Sequence, residues 1–314
     1  MDIEKISFFG NISYSEIAVN KLNKMSKRTY IGCSGWSYEE WVGPFYPKSL
    51  DSKDFLNYYS KIFYTNEINT TFYNIPSKRI VKGWAIRTPD DFVFTAKIPR
   101  VITHENKLDL TECYHHLEVY LKVMEPLIQS GKLLAFLIQL PPSFNKDEHF
   151  SNLKEFINEW PIDYRDAPYN LAVEFRNESW MDEETFAYLR ENALTYCAVI
   201  EPTLPPRMDI TNQEFAYIRF HGFGERIWFD YLFSEQEIDK YGKLVEAVID
   251  TAKIVGIYFN NHFSGYAPKN SLMMMDKLNI HPRNRPGDID ILEVKKDSGT
   301  VSKGQMSLDK FFKN

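Results

Sequence analysis

Eight short apolar runs alternate with longer amphipathic segments between residues 30 and 279, and this rhythm constrains the fold more than any other feature. The runs lie at 30–33, 64–69, 92–98, 133–140, 170–176, 194–200, 215–221 and 255–260. The spacing of apolar residues predicts helices near 52–62, 77–87, 110–129, 147–159, 181–191, 234–253 and 268–278. Near-continuous apolar strands separated by such helices favour a parallel sheet, and eight repeats predict a closed TIM (β/α)8 barrel. A doubly wound sheet is the alternative, although no Gly-x-Gly-x-x-Gly motif follows the first strand.

The residues outside the predicted barrel divide into three further segments. Residues 1–29 form an N-terminal extension, in which 15–25 has the spacing of a short helix. Residues 280–304 carry proline, glycine, aspartate, lysine and serine with little periodicity, which predicts a flexible linker. Residues 305–314 form a separate C-terminal peptide.

Composition narrows the functional classes and the compartment. The formal net charge of -6 gives no overall basic character of the kind that indicates nucleic-acid binding, although a local basic groove stays possible. The three cysteines are far apart and form no CxxC, so we expect neither a zinc ribbon nor a disulfide framework. No apolar run approaches 18 residues and no signal peptide is found, so a cytoplasmic protein without a membrane partner is predicted.

Charged and amide side chains stand where the apolar runs end. These side chains are Glu67, Asn69, Lys97, Gln139, Glu174, Arg176, Arg219, His221, Asn260 and His262. Residues two apart in a strand point to the same side, so Glu67 with Asn69, and Glu174 with Arg176, are expected to face the barrel interior together. Because barrel enzymes keep their active sites at the carboxyl ends of the strands, the sequence predicts a functional mouth there.

Roles for these residues follow from their chemistry. Two carboxylates in one mouth can titrate at different pH values, so Glu67 and Glu174 are the predicted acid–base pair. His104 and His221 are further catalytic candidates, because an imidazole exchanges protons near neutral pH. The predicted substrate-binding residues offer cations for an anionic ligand, amides, and aromatic rings that stack on a base or sugar. They are Asn69, Tyr73, Lys97, Arg176, Arg219, Asn260, Trp36 and Trp180.

Two alternatives remain open for the same side chains. In the first, Glu67–Lys97 and Glu174–Arg219 are structural ion pairs that close the end of the barrel. In the second, a divalent metal binds there, and its mixed ligand set consists of Glu67, Glu174, His221 and His262. No aspartate accompanies these ligands and no HxH or HxxxH occurs, so no cofactor is predicted.

Several blocks of this sequence resemble the YecE-like family, also called domain of unknown function 72. The blocks are GCSGW at 32–36, WVGPFYP at 41–47, EINTTFY at 67–73, KIP at 97–99, QLPPSF at 139–144, EFR at 174–176, RFHG at 219–222 and FNNH at 259–262. The resemblance spans about residues 30–279 and implies a TIM barrel, without implying a settled reaction. One departure is that residues 230–234 read DYLFS, without the glycine that the family usually has in this loop.

The C-terminal peptide resembles the motif that binds the sliding clamp PCNA. In one helical turn, Leu308, Phe311 and Phe312 present a single apolar surface, and Gln305 adds a polar anchor. A short apolar peptide of this kind suits a hydrophobic groove on a partner. The resemblance implies that the clamp is a partner and that DNA lies near the barrel. The alternative is a terminal helix that docks on the protein's own barrel.

Together these observations predict an enzyme of DNA metabolism or repair, such as a nuclease or a phosphodiesterase-like hydrolase, that PCNA recruits. Such an enzyme is expected to show a basic rim near Lys97, Arg100 and Arg176. One alternative is an acid–base enzyme that acts on a small anionic or sugar-like metabolite in a narrow, closed pocket. Another is a non-catalytic adaptor that binds DNA or protein through the barrel mouth.

Overall fold

A computed structural model of the chain describes residues 28–165 and 167–297, and its strands confirm the predicted TIM barrel. The strands are β1 (Arg28–Cys33), β2 (Thr65–Ile68), β3 (Val93–Lys97), β4 (Leu133–Gln139), β5 (Asn170–Glu174), β6 (Thr195–Ile200), β7 (Phe215–Phe220) and β8 (Ile254–Phe259). Their order is β1-β8-β7-β6-β5-β4-β3-β2, and the described neighbours in this sheet pair in parallel. Each predicted apolar run therefore overlaps one strand of the sheet.

The longer connecting helices lie where the apolar spacing predicted them. They are α1 (Phe55–Ser60), α2 (Lys78–Ile86), α3 (Leu110–Gln129), α4 (Lys146–Asn158), α5 (Glu183–Glu191), α6 (Glu235–Thr251) and α7 (Tyr266–Lys277). Helix α6 begins at a capping box, in which the Ser234 and Glu237 side chains each accept the other's backbone N–H. The proline-rich connection 201–214 contains no helix. Within the described residues, no helix is long and apolar enough to span a membrane.

Side chains complete the seam between β1 and β2, where the backbone ladder is short. The Gly35 N–H donates to the Glu67 carbonyl at 2.7 Å. The Asn66 amide donates to the carbonyls of Cys33 and Gly35 at 3.0 and 2.9 Å, and the Cys33 N–H donates to the Tyr59 hydroxyl at 2.8 Å. These bonds close the barrel beside Glu67 and fix the position of that residue along the barrel axis.

Below the mouth, the barrel interior contains paired hydroxyl groups rather than apolar side chains alone. The Thr65 and Tyr258 hydroxyls lie 2.8 Å apart, and the Thr95 and Tyr217 hydroxyls lie 2.7 Å apart. All four side chains are buried. Each hydroxyl therefore has a partner. These four side chains form a polar layer directly below the charged groups of the mouth.

Residues 280–297 pack against the barrel, which corrects the predicted flexible linker over this stretch. The Arg283 guanidinium lies 3.9 Å from the centroid of the Tyr64 ring, and its Nη2 lies 2.6 Å from Asp91. Residues 291–297 are helical, Val294 is buried, and its carbonyl accepts from Asn57 at 3.0 Å. Tyr64 and Asp91 precede β2 and β3, so this contact lies at the end of the barrel opposite the mouth. Besides these polar and aromatic contacts, a few apolar side chains pack against the core, namely Ile280, Ile289, Ile291 and Val294. They are unevenly spaced, which is why the segment lacks an apolar period.

Two predicted segments lie outside the described residues. One is the N-terminal extension up to residue 27, with its predicted helix at 15–25. The other is the peptide 305–314 with Gln305, Leu308, Phe311 and Phe312, together with the preceding residues 298–304.

Candidate active site

Arg219 lies at the centre of a cluster that the carboxyl ends of the strands bring together. Its guanidinium donates to Glu67 Oε1 and to Glu174 Oε2, at 2.6 Å in each case. All three residues are at most 1% exposed. The Tyr217 hydroxyl also donates to Glu67 Oε2 at 2.6 Å, so the charged group rests directly on the hydroxyl layer. One arginine thus links strands β2, β5 and β7 at the mouth.

Arg176 extends this network toward β6. Its Nε donates to Glu174 Oε1 at 2.6 Å, and its Nη1 lies 3.5 Å from Glu201 Oε2. Glu201 is buried and was missed in the sequence, because it opens a proline-rich connection. Its position could have identified it, because Glu201 directly follows β6, just as the other charged residues stand where strands end.

His221 lies between Arg176 and two asparagines. Its Nε2 is 2.7 Å from Arg176 Nη2, and its Nδ1 is 3.0 Å from Asn260 Nδ2. Asn260 Oδ1 in turn accepts from Asn69 Nδ2 at 3.2 Å. Burial and the neighbouring Arg176 lower the pKa of His221 to about 3, so its imidazole is neutral at physiological pH.

His104 lies beside the mouth, outside the lining of its cavity. Its Nδ1 is 2.9 Å from the Thr103 hydroxyl, and its ring packs edge-on against Phe72. Burial and the Lys97 charge lower the pKa of His104 to about 4. Both predicted histidines therefore titrate well below neutral pH, whereas their predicted proton-exchange role relied on an ordinary imidazole pKa.

Lys97 is the cation of the mouth that lacks a counter-ion. The side chain is 9% exposed, and among the described residues its amine has neither a hydrogen-bond nor an ion-pair partner. Its Nζ lies 3.7 Å from the centroid of the Phe72 ring. Burial and the nearby Arg219 lower the pKa of Lys97 to about 7. The alternative pair Glu67–Lys97 is replaced by Glu67–Arg219, while the alternative pair Glu174–Arg219 is present.

The two carboxylates of the predicted acid–base pair lie beneath the cavity. Glu67 and Glu174 are fully buried and accept from guanidinium groups. Burial would raise the pKa of the Glu174 carboxyl, but Arg176 and Arg219 outweigh it and hold this pKa well below its usual range. A general acid needs the opposite shift. Glu174 therefore positions the two arginines rather than serving as an acid, and the lowered pKa of Lys97 makes this amine a candidate for proton exchange in the mouth.

A cavity of about 530 Å³ opens above this cluster. Amides, hydroxyls and aromatic rings line it together with the cations and His221. The lining residues are Gly35, Trp36, Ser37, Tyr38, Asn69, Thr70, Tyr73, Lys97, Gln139, Arg176, Arg219, His221, Trp228, Phe229, Asn260 and His262. This volume is within the range of small-molecule sites in proteins. Of the predicted binding residues, Trp180 is the one that does not line the cavity.

Trp180 belongs to the core, which corrects its prediction as a substrate-binding residue. Its ring is 0% exposed and stacks on Phe175 and Phe144, with centroids 4.6 and 5.6 Å away. Its Nε1–H donates to the Phe144 carbonyl at 2.7 Å. The helical turn Glu178–Trp180 directs the ring inward, away from the mouth. Trp228, in the connection after β7, lines the cavity instead.

The side chains of the alternative metal site do not come together at the mouth. His262 stacks on Tyr38 and Phe229, and its Nδ1 lies 3.2 Å from Glu40. Over residues 28–165 and 167–297, no group of three or more histidine, cysteine, aspartate or glutamate side chains is placed to hold a metal ion. Of the predicted basic rim, Lys97 and Arg176 line the cavity, whereas Arg100 lies outside its lining and pairs with Glu105 at 2.9 Å.

Comparison with known proteins gives relatives over most of the chain. The UPF0759 protein YunF of Bacillus subtilis is 26% identical over 276 residues, which cover 80% of this chain and 95% of YunF. The UPF0759 protein YecE of Escherichia coli K12 is 31% identical over 148 residues, which cover 47% of this chain and 48% of YecE.

Solved structures show the same barrel. A DUF72 family protein from Thermotoga maritima has a TM-score of 0.70 and 35% identity, over 80% of this chain and 99% of that protein. A DUF72 family protein from Enterococcus faecalis has a TM-score of 0.71 and 26% identity, over 82% of this chain and 98% of that protein. The family model described as "Protein of unknown function DUF72" matches residues 30–290. The chain therefore belongs to the DUF72 family.

Proposed function

We propose that the barrel is an enzyme that performs acid–base chemistry on a small, neutral, sugar-like substrate, with Lys97 as the group that gains and loses the proton. The observation behind this proposal is a buried amine that lines a cavity at the carboxyl ends of barrel strands and has no counter-ion among the described residues. A lysine of lowered pKa is suited to general-base work, because its free amine is present at neutral pH.

The charges of the mouth favour a neutral substrate over an anionic one. Three carboxylates face three cations in and under the cavity: Glu67, Glu174, Glu201, Arg176, Arg219 and Lys97. The cluster is balanced when Lys97 is protonated, and it carries one negative charge when Lys97 is neutral. Binding an anion would add an uncompensated charge to a buried site, which costs several kcal/mol. A neutral ligand avoids this penalty.

The remaining lining residues suit hydroxyl groups. Asn69, Asn260 and Gln139 offer amide donors and acceptors, and Ser37 and Thr70 offer hydroxyls, so several substrate hydroxyls could be paired at once. The aromatic members of the lining offer flat apolar surfaces to the C–H faces of a sugar ring. They are Trp36, Tyr38, Tyr73, Trp228 and Phe229. A cavity of this volume and lining favours a small metabolite over a DNA duplex.

Saturation-transfer NMR with neutral aldoses and ketoses, each paired with its phosphate ester, tests the proposal. We expect transfer to at least one neutral sugar and a weaker signal from its ester. Trp228→Ala should reduce the signal at least tenfold, because this ring lines the cavity. Tyr114→Ala is the matched control, since it removes a partly exposed ring on α3 outside the cavity. Binding of phosphate esters or of single-stranded DNA, without binding of any neutral sugar, would contradict the proposal.

We propose separately that residues 305–312 bind PCNA, because their sequence combines a polar anchor with three apolar side chains at helical spacing. This partner would place the enzyme beside DNA and favours a role in DNA metabolism. In a pull-down with recombinant PCNA, the double variant Phe311→Ala/Phe312→Ala should lower recovery at least tenfold. Lys310→Ala, between the anchors, should leave recovery unchanged. Equal recovery of the double variant and the unmodified chain would rule the partner out.

A further inference from the structure

We infer that Lys97 is a nucleophile, and that it forms an imine with the carbonyl carbon of an aldehyde or ketone, such as an open-chain sugar, bound in the mouth. This inference rests on the proposed function and names the reactive group of its substrate. It assigns the lysine a covalent role, in which proton transfer at the neighbouring carbon becomes possible.

The backbone of Lys97 is held firmly while its amine has no partner. The Lys97 carbonyl accepts from the Thr71 hydroxyl at 2.7 Å and from the Tyr120 hydroxyl at 3.2 Å. The Phe72 ring covers one side of the amine. The residue thus ends strand β3 at a fixed position beside the cavity, and its nitrogen is not engaged by any described acceptor.

Two other buried lysines have amines with direct hydrogen-bond or ion-pair partners, unlike the Lys97 amine among the described residues. Lys132 Nζ donates to the Ala85 and Thr88 carbonyls, at 2.7 Å in each case. Lys146 Nζ pairs with Asp182 and Glu184. Those acceptors stabilise an ammonium by direct contact. Around Lys97 lie two guanidiniums, an aromatic ring, and the carboxylates of Glu174 and Glu67, which already accept from guanidiniums. A desolvated lysine beside other cations is the arrangement that activates an amine as a nucleophile.

The chemistry balances with water alone as the co-reactant. The nitrogen lone pair of Lys97 forms a bond to the carbonyl carbon, and the C=O π electrons move to oxygen. One N–H proton passes through water to that oxygen, which gives a carbinolamine. The hydroxyl group leaves with the second N–H proton as water, and a C=N bond remains. The imine nitrogen then takes up a proton from water. The protonated imine draws electrons from the adjacent carbon, so a proton on that carbon is more easily released to water.

Reductive trapping with glycolaldehyde and cyanoborohydride tests the inference on the full chain. At pH 7 an exposed lysine of pKa about 10.4 is neutral in about one molecule in 2,500, so it reacts slowly. We expect the peptide that contains Lys97 to be modified at least tenfold faster than peptides with exposed lysines. The rate at Lys97 should rise with pH up to about 7 and then level off, which follows its lowered pKa.

Variants separate this inference from the proposed function. Lys97→Met should remove the dominant adduct, and Lys48→Met, which changes an exposed lysine, should keep it. Circular dichroism and the melting temperature report whether each variant folds, and Lys97→Arg serves as the second variant if the methionine form does not. Modification of Lys97 no faster than exposed lysines, in protein that still binds neutral sugars, would overturn the imine and leave the proposed function standing. If the unmodified protein binds no neutral sugar, both the imine and the proposed function are overturned.

Discussion

Replacing Arg219 with methionine is expected to lower the free energy of unfolding by about 3–5 kcal/mol at pH 7. The variant keeps Glu67 and Glu174 buried but removes the guanidinium that both carboxylates contact. Tyr217 and Arg176 still reach one carboxylate each, so the barrel is expected to fold with a large penalty rather than fail. Urea denaturation at 25 °C, followed by tryptophan fluorescence, measures the difference.

The pH dependence of this penalty identifies its origin. In the unmodified protein the pKa of Glu174 is depressed, so its ion pairs stabilise the fold above pH 4–5 and this stabilisation is lost as the pH falls. Without Arg219, the Glu174 carboxylate loses one of the two guanidiniums that hold its pKa down, so the variant gains less stability as the pH rises from 4 to 7. The gap between the two proteins should therefore be smallest near pH 4 and widen toward pH 7.

Two comparisons make the Arg219 result specific. Arg285→Met removes an exposed arginine that pairs with Asp276, and we expect a change within about 1 kcal/mol. Adding Glu67→Gln to Arg219→Met should recover part of the loss, because one uncompensated charge is gone. A loss from Arg219→Met that is the same at pH 4 and pH 7 would mean that packing, rather than charge, dominates at this position.

Replacing Trp180 with alanine is expected to cost about 3–5 kcal/mol of stability, since a large buried ring is removed. The change leaves a cavity between Phe144 and Phe175 and takes the donor from the Phe144 carbonyl. Thermal and urea unfolding report the loss. Ligand binding by the folded fraction should remain unchanged.

Trp36→Ala is the matched contrast for Trp180. Trp36 is only partly buried and lines the cavity, so its removal should weaken sugar binding more than it weakens the fold. The result that would contradict both assignments is a stable Trp180→Ala protein that has lost its ligand.

The barrel could be predicted from the sequence because its signals are local and repeated. Eight apolar runs of strand length alternate with seven segments of helical spacing, and each repeat supports the others. The meeting of Glu67, Glu174 and Arg219 could also be anticipated, because every parallel strand places its carboxyl end at the same rim.

The pairing within the site could not be predicted. Which cation reaches Glu67 depends on side-chain length and direction across the barrel. Arg219 makes that contact, and the Lys97 amine has no ion-pair partner in the described part of the chain. A strand-end position likewise does not fix the direction of a ring. Trp180 and Trp228 both follow strands, yet a helical turn directs Trp180 into the core and a longer connection places Trp228 at the cavity.

The docking of residues 283–297 has a consequence for how the molecule would be held. Asp297 pairs with Lys61 at 2.8 Å, and the Arg283 N–H donates to the Ile62 carbonyl at 2.9 Å. Lys61 and Ile62 precede β2, so residues 283–297 are anchored at the end of the barrel opposite the mouth. A partner that bound at this end of the barrel would leave the cavity entrance at the other end open to diffusing small molecules.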